Sequence, residues 1–167
     1  MNYMALLEIK KFNAPVLRKK AKKVEKVDKK VKSLVLNMIQ TMKNGQGIGL
    51  AAPQVGISER VIVVMSNFKN GQNLGLINPK IVKKSKEKGL EEEGCLSFPG
   101  IFLKIKRAKE IEVEGLDIEG KKIKIKAKGL SAGVFQHEID HLDGILFFNR
   151  LGFAQKLKFK LKHPSIH

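Results

Sequence analysis

Hydrophobic positions along the chain predict two helices and leave the C-terminal segment without helical periodicity. From Val31 onward, apolar residues recur on one helical face, and this helix is expected to end near Asn44 and Gly45. A second helix is predicted from Ser131, a good N-cap residue, to Gly144, which is typical of a helix end. The tail AQKLKFKLKH alternates apolar residues with lysine, which favours a strand or irregular segment over a helix.

Short strands are predicted between these helices. RVIVVM, at residues 60–65, is a β-branched run typical of a buried strand, and a turn in KNGQN precedes a second short strand at 74–77. Within 110–128, apolar and charged residues alternate on both sides of Glu119 and Gly120, which predicts a hairpin with one lysine-lined face. The expected fold class is α+β, with short antiparallel strands packed around a central helix that carries HEIDH.

The length of 167 residues predicts one domain, 1–167, with a basic N-terminal arm and a short basic C-terminal tail. The arm covers about residues 10–32 and is broken by Pro15. No apolar run reaches the length of about 18 residues that a membrane span needs, and no signal-peptide pattern is present. We therefore expect no membrane contact and a cytoplasmic location, or an organellar matrix in a eukaryotic cell.

The net charge of +17, from 33 basic and 16 acidic residues, favours a polyanionic partner. Aromatic residues make up only 6% of the chain, so surfaces for base stacking are poorly supplied. The alternative is a solvated lysine-rich surface. The charge suggests proximity to nucleic acid without reading of its sequence.

The segment QHEIDHLDG, at residues 136–144, has the spacing of a metal site. His137 and His141 are four residues apart, so both imidazoles lie on one helical face within reach of one ion. Glu138 lies beside them and could take a proton from water activated by the ion. Two ordinary histidines on an amphipathic helix are the alternative, which the complete H-E-x-x-H pattern disfavours.

A third ligand is missing downstream. Phe147 occupies the third-histidine position of H-E-x-x-H-x-x-G-x-x-H, and no glutamate follows Glu138. His163 and His167 lie in the basic tail. Upstream, the only cysteine, Cys95, lies in EEEGCLSFPG, and its thiolate would complete a three-ligand site with one open position. A buried, unreactive thiol is the alternative for a lone cysteine.

Three motifs, in this order, resemble those of the peptide deformylases. GIGLAAPQ at 47–54, EGCLS at 93–97 and HEIDH at 137–141 match the family patterns G-x-G-x-A-A-x-Q, E-G-C-x-S and H-E-x-D-H. The resemblance spans nearly the whole chain. It implies a hydrolase that removes the N-formyl group from the N-terminal methionine of newly made proteins and releases formate. A phosphate-binding loop is the alternative for the first motif, but its glycine spacing fits neither G-x-G-x-x-G nor the P-loop.

The resemblance also implies roles for individual residues. Three are expected to bind the metal: Cys95, His137 and His141. Three are expected to act in catalysis: Glu138 as general base and then acid, with Gln54 and the backbone N–H of Leu96 stabilising the oxyanion. The implied metal is Fe2+, for which Zn2+, Ni2+ or Co2+ are possible substitutes. The ligand set alone does not distinguish iron from zinc.

An apolar slot is needed for the methionine side chain. The resemblance places Ile48 and Gly49 in the cleft, and Val134 and Leu130 precede His137 by about one and two helical turns. With Ile48 they could line the slot, although core packing is as consistent with Val134 and Leu130.

The sequence also supports predictions for two residues that follow EGCLS, Phe102 and Arg107. Phe102 stands where many bacterial deformylases have arginine or tyrosine, which puts a polar substrate contact at that position in doubt. Arg107 is expected to pair with Glu93 or another of the three glutamates before Gly94.

Nascent formyl-methionyl polypeptides and, through the basic surface, ribosomal RNA are the expected partners. The C-terminal tail contributes Lys156, Lys158, Lys160 and Lys162 to that surface. Two other functions remain open on the residues alone. One is a zincin-like endopeptidase, and the other is a basic RNA-associated protein without catalysis, for which Glu138 and Gln54 would be unnecessary.

Overall fold

The computed structural model describes residues 5–65 and 73–166. The helices within these ranges are α1 (Lys29–Asn44), α2 (Leu130–Leu142) and α3 (Phe153–Lys162). The strands are β1 (Gly49–Ala51), β2 (Val61–Val64), β3 (Leu74–Lys84), β4 (Lys88–Cys95), β5 (Phe98–Ala108), β6 (Glu110–Leu116) and β7 (Lys122–Lys128). The turn predicted in KNGQN falls mostly on residues outside the described ranges, as does His167.

The strands form two antiparallel sheets. Five of them pair in the order β1-β2-β3-β6-β7, and β4 pairs with β5 in a separate hairpin. Helix α2 contacts strands of both sheets, so it lies at the centre of the fold as predicted. The α+β class is confirmed, although β3 and β5 are 11 residues each, longer than the short strands expected.

Helix α1 forms as its sequence predicts. The Asp28 carboxylate caps its N-terminus by accepting hydrogen bonds from the backbone N–H groups of Lys30 and Val31. The predicted apolar stripe is buried, and Val35 and Met38 pack in one cluster with Val61 and other residues of the larger sheet. The helix ends at Asn44, before Gly45.

Helix α2 differs from prediction at its start. Gly129, with φ of 56°, occupies the N-cap, and Ser131 lies inside the helix, so the expectation of a Ser131 cap was wrong. The positive φ lets the chain leave β7 and enter the helix directly, which leaves no place for a side-chain cap. At the other end, Gly144 has φ of 71°, as predicted for the residue after a helix. Ten of the 13 helix residues are buried, so this helix is enclosed on most sides.

The predicted hairpin is present as β6 and β7, with Gly120 in its turn at φ of 80°. Its inner face buries Ile111, Val113 and Ala127. Its outer face carries three cross-strand pairs that we call the lysine ladder: Glu110 with Lys128, Glu112 with Lys126, and Glu114 with Lys124. β7 is one of the two edge strands of the sheet, and charged side chains on an edge strand discourage pairing with another chain.

The C-terminal segment is a helix, so the expectation of a strand or irregular structure was wrong. Alternation of apolar residues with lysine suggested a strand, but only Phe159 of α3 is buried. Its ring stacks on Phe148 with ring centroids 5.1 Å apart, and one such anchor needs no two-residue periodicity. Alanine, glutamine, leucine and lysine also favour a helix intrinsically. No helix within the described ranges is long and apolar enough to cross a membrane.

Candidate metal centre and active site

The three predicted metal ligands lie together. Cys95 ends β4, whereas His137 and His141 project from α2, and the ligand atoms of all three lie within 4.8 Å of one another. The Cys95 Sγ is 3.3 Å from the His141 Nε2. Bond lengths of about 2.0–2.3 Å would separate ligand atoms around one tetrahedral ion by about 3.3–3.8 Å, so the arrangement fits a metal ion.

The strand pairing explains how Cys95 reaches the helix. In the β4–β5 hairpin, Gly94 lies opposite Phe102 but Cys95 lies opposite Phe98, so residues 99–101 of β5 bulge out of the ladder. Such a bulge bends the strand and redirects neighbouring side chains. The end of β4 is therefore turned towards α2, and the bulged residues line the adjoining cleft.

The pKa values of the two histidines are shifted in opposite directions. Burial, together with the positive charges of His137 and Arg107, holds the pKa of His141 well below its usual value, which keeps this imidazole neutral. For His137 burial also acts to lower the pKa, but hydrogen bonds with Cys95 and Glu93 outweigh it and raise the pKa well above its usual value. A proton therefore competes with a metal ion for His137, and metal affinity should fall as the pH falls.

Glu138 is a buried carboxyl group at the cleft. Burial raises its pKa to about 7, against the opposing effect of the positive charge at His137. Its Oε2 atom has no hydrogen-bond partner among the described residues. Gly49 faces it so closely that a Cβ atom there would lie 2.4 Å from Oε1. The carboxyl group can therefore both accept and release a proton near neutral pH.

Gln54 is held with its amide next to the sulfur of Cys95. Its Oε1 accepts a hydrogen bond from the Ala51 backbone N–H at 2.8 Å. Its Nε2 donates to the Cys95 Sγ at 3.4 Å and to the Ser97 Oγ at 3.3 Å. Leu96 follows Cys95 in the turn between β4 and β5 and lines the same cleft. Two potential donors, the Gln54 amide and the Leu96 backbone, thus lie close to the candidate metal position.

A cleft of about 620 Å³ connects these groups. All four residues predicted to contact substrate line it: Ile48, Gly49, Leu130 and Val134. Leu130 is largely exposed, so core packing does not account for it, whereas Val134 lines the cleft and also packs against the core. Phe102 lies at the cleft with its ring over Gly94, and Glu91 and Lys11 are lining residues that the sequence did not suggest.

A group that we call the buried ion cluster lies behind the candidate metal ligands. It consists of three buried residues, Glu93, Arg107 and Asp140, together with Arg150, whose side chain is 41% exposed. Arg107 donates to both carboxylate oxygens of Glu93, at 2.6 and 3.0 Å, which confirms the expected pairing. It also donates to the Asp140 Oδ2 at 2.6 Å. Arg150 binds Asp140 from the other side, at 2.9 Å to Oδ2.

The buried ion cluster also contacts one candidate metal ligand, because the Glu93 Oε2 lies 2.8 Å from the Nδ1 of His137. Burial by itself raises the pKa of Glu93, but the hydrogen bonds from His137 and Arg107 outweigh burial, and the pKa is lowered. Sequence reasoning missed Asp140 and Arg150. Asp140 could have been noticed as a carboxylate inside a buried helix, whereas nothing in the sequence pointed to Arg150.

Comparisons with known proteins agree with this architecture. Residues 6–157 match the polypeptide deformylase family. The peptide deformylase of Thermodesulfovibrio yellowstonii is 47% identical to this chain, over 97% of this chain and 99% of its own length. The crystal structure of the peptide deformylase from Thermus thermophilus superposes with a TM-score of 0.90 at 39% identity, covering 96% of this chain and 94% of that chain. That of the Thermotoga maritima enzyme has a TM-score of 0.84 at 44% identity and covers 89% and 99%, respectively. The chain therefore belongs to the polypeptide deformylase family and is an enzyme.

Proposed function

We propose that this enzyme hydrolyses the formamide bond at the N-terminal formyl-methionine of newly synthesised polypeptides, with a metal ion bound by Cys95, His137 and His141. The observation that carries this proposal is the meeting of three groups in one cleft. These are the Cys-His-His ligand set, the Glu138 carboxyl with a pKa of about 7, and the Gln54 amide 3.4 Å from the Cys95 Sγ. We further propose that residues 1–167 act as a single catalytic domain.

Fe2+ is the proposed metal, and Zn2+, Ni2+ or Co2+ would fit the same ligands. When bound, the ion supplies Lewis acidity, which polarises the formyl carbonyl and lowers the pKa of water in the cleft. The lowered pKa of His141 and the contact between the His137 Nδ1 and Glu93 support this ligand set. The first leaves a lone pair on the His141 imidazole, and the second would orient His137 once the metal replaces its Nε2 proton.

Glu138 is the proposed general base and then general acid. It takes a proton from the attacking water, whose oxygen bonds to the formyl carbon. It then delivers that proton to the methionine nitrogen as the C–N bond breaks, so that formate and a free amine leave. A pKa of about 7 suits both transfers, since neither protonation state is strongly disfavoured at neutral pH.

Gln54 and the backbone N–H of Leu96 are the proposed donors to the oxygen of the former carbonyl. Because its Oε1 is fixed by Ala51, the Gln54 amide is already oriented before charge develops. Loss of one such donor typically costs about 2.7–4 kcal/mol of transition-state stabilisation. Ile48, Leu130 and Val134 would form the apolar slot for methionine, with Gly49 contributing backbone.

The basic surface is proposed to contact ribosomal RNA transiently, which would bring the cleft near emerging chains in the cytoplasm. Helix α3 supports this, because it carries four lysines: Lys156, Lys158, Lys160 and Lys162. Deleting the helix would also remove the buried Phe159, so replacing the lysines by glutamine is the better test. We expect salt-sensitive co-sedimentation with ribosomes in the parent and weaker co-sedimentation in the lysine variant. Unchanged binding would exclude α3 as the contact.

The reaction itself is tested by formate release from a formyl-methionyl tripeptide, using protein prepared anaerobically with Fe2+. Glu138→Gln keeps the size of the side chain but removes the base, and should reduce kcat by about 10²–10⁴-fold with metal content unchanged. Glu112→Gln, on the outer face of β6, is the matched control and should behave as the parent. Cleavage of internal peptide bonds would favour the endopeptidase alternative, and bound metal without any turnover would favour a non-catalytic role.

A further inference from the structure

We propose that Arg107 is a positioning residue, which fixes the candidate ligand on β4 relative to the two candidate ligands on α2. Arg150 supports this arrangement by binding Asp140 from the side opposite Arg107. This inference rests on the proposed ligand set. It concerns a residue that binds neither metal nor substrate. Arg107 lies on β5, whereas the candidate ligands lie on β4 and α2.

A single guanidinium group spans the two elements that supply the ligands. Its Nε and Nη2 bind both oxygens of Glu93, which is two residues before Cys95 on β4. Its Nη1 binds Asp140, which immediately precedes His141 on α2. The side chain is only 5% exposed, so water does not compete for these contacts. The planar fork of Arg107 therefore fixes the distance and orientation between β4 and α2 at the ligands.

Glu93, which Arg107 holds in place, also contacts the candidate ligand His137 directly. Its Oε2 faces the Nδ1 of His137 at 2.8 Å, and in the ligating state it accepts the Nδ1–H. That contact selects the tautomer whose Nε2 lone pair is directed at the metal. Arg107 and Arg150 match the charges of Glu93 and Asp140, so the Glu93 carboxylate faces His137 without being an unpaired buried charge.

Stability alone does not explain so elaborate a cluster. Buried ion pairs are often no more stabilising than well-packed apolar residues of the same volume, because desolvation offsets the attraction between the charges. Arg107 nevertheless makes three short contacts to carboxylates that flank ligands on two different elements. A lysine could not reproduce them, since its single ammonium cannot face three acceptors in one plane. The geometry of the metal site is what this arrangement controls.

The test is the metal affinity and spectrum of Arg107→Lys, independent of catalysis. The whole protein, freed of metal, is titrated with Co2+ in competition with a chelator, and the visible absorption of the Co2+ complex is recorded. We expect the dissociation constant to rise by about 10–100-fold and the Co2+ bands to shift, as when other partners of metal ligands are replaced. Arg60→Lys is the matched control, because Arg60 binds Asp143 at the end of α2 at 2.7 Å without touching a ligand. Its affinity and spectrum should equal those of the parent.

Glu93→Gln is the second variant and keeps an acceptor for His137 while weakening the contact with Arg107. It should raise the dissociation constant as well, and it decides the question if Arg107→Lys does not fold. A folded variant with the parent's affinity and spectrum would overturn the positioning role. Failure of the parent to bind Co2+ would instead reject the ligand set. Tight binding by the parent without formate release would reject the proposed reaction and leave the positioning role standing.

Discussion

The buried ion cluster and the lysine ladder are built from the same kinds of charged contact in opposite surroundings. In the ladder, Lys124 and Glu114 are 3.0 Å apart, and each side chain is about half exposed. In the cluster, Arg107 and Glu93 are 2.6 Å apart and almost fully enclosed. Water and salt screen the first pair, whereas the second has lost its hydration and depends on its partners. The surroundings of a charged pair, more than its length, decide whether it can fix the position of another group.

Arg107→Ala should have the largest effect on folding. It leaves Glu93 and Asp140 buried without their shared cation, and removal of one partner from a buried pair typically costs about 3–5 kcal/mol. We expect this loss in the free energy of unfolding of the metal-free protein, measured by chemical denaturation. A loss below about 1 kcal/mol would mean that Arg107 contributes no more to stability than an exposed ion pair, which would contradict the difference between the cluster and the ladder.

Gly49→Ala should separate function from stability. The new Cβ would lie 2.4 Å from the Glu138 Oε1, so the carboxyl group must move, and a displacement near 1 Å can cost about 10²-fold in rate. The measurement is kcat/KM for a formyl-methionyl peptide, with the free energy of unfolding determined in parallel. Gly120→Ala, in the turn of the ladder, is the counterpart. Its positive φ should cost about 1–2 kcal/mol of stability while kcat/KM stays at the parent value. Equal loss of activity in both would contradict a specific role for Gly49.

Acid should weaken the cluster in a defined direction. The pKa of Glu93 is lowered in the folded state from its ordinary 4.5, because hydrogen bonds from His137 and Arg107 outweigh burial. Its ionised form therefore stabilises the protein fully above about pH 4.5, and this contribution is lost as the pH falls through the folded-state pKa. Unfolding free energies of the parent and Glu93→Gln, measured from pH 6 to pH 3 without metal, should converge as the pH falls. A difference between the two free energies that stays constant with pH would show that the charge of Glu93 contributes nothing to stability.

Lys124→Ala should have the smallest effect. Exposed pairs contribute little at ordinary ionic strength, so no measurable change in the free energy of unfolding is expected in about 0.15 M salt. The measurement is repeated at low salt, where any contribution from the contacts with Glu112 and Glu114 would emerge. A loss comparable to that of Arg107→Ala would show that the ladder is part of the stabilising framework.

Local spacing accounted for much of the fold and for the candidate ligands. The stripe of α1, the hairpin and the two histidines of HEIDH depend on residues close together in sequence, and a helix or strand period relates them directly. Cys95 could be predicted as the third ligand because no downstream ligand was available and because the motif order resembled a known family. The pairing of Arg107 with Glu93 was likewise expected from nearby charges.

What was missed depends on contacts that no helix or strand period relates, even between residues 10 or 11 positions apart. Helix α3 is anchored by Phe159 on Phe148, and no periodicity in the tail announces that contact. Ser131 is a good cap in isolation, but the path of the chain out of β7 uses Gly129 instead. Arg150 meets Asp140 only after the chain turns back beyond α2. Such partners follow from the tertiary arrangement, so sequence spacing alone could not identify them.

The dispersal of the site along the chain has a consequence for biosynthesis. Cys95 is made 42 residues before His137, and the last member of the buried ion cluster, Arg150, comes 13 residues after that histidine. During translation Cys95 therefore leaves the ribosome first, His137 and His141 follow, and Arg150 emerges last. Until that final segment emerges, a captured ion would be held by an unsupported helix. On the positioning role proposed above, the metal site is therefore complete only after Arg150 has left the ribosome.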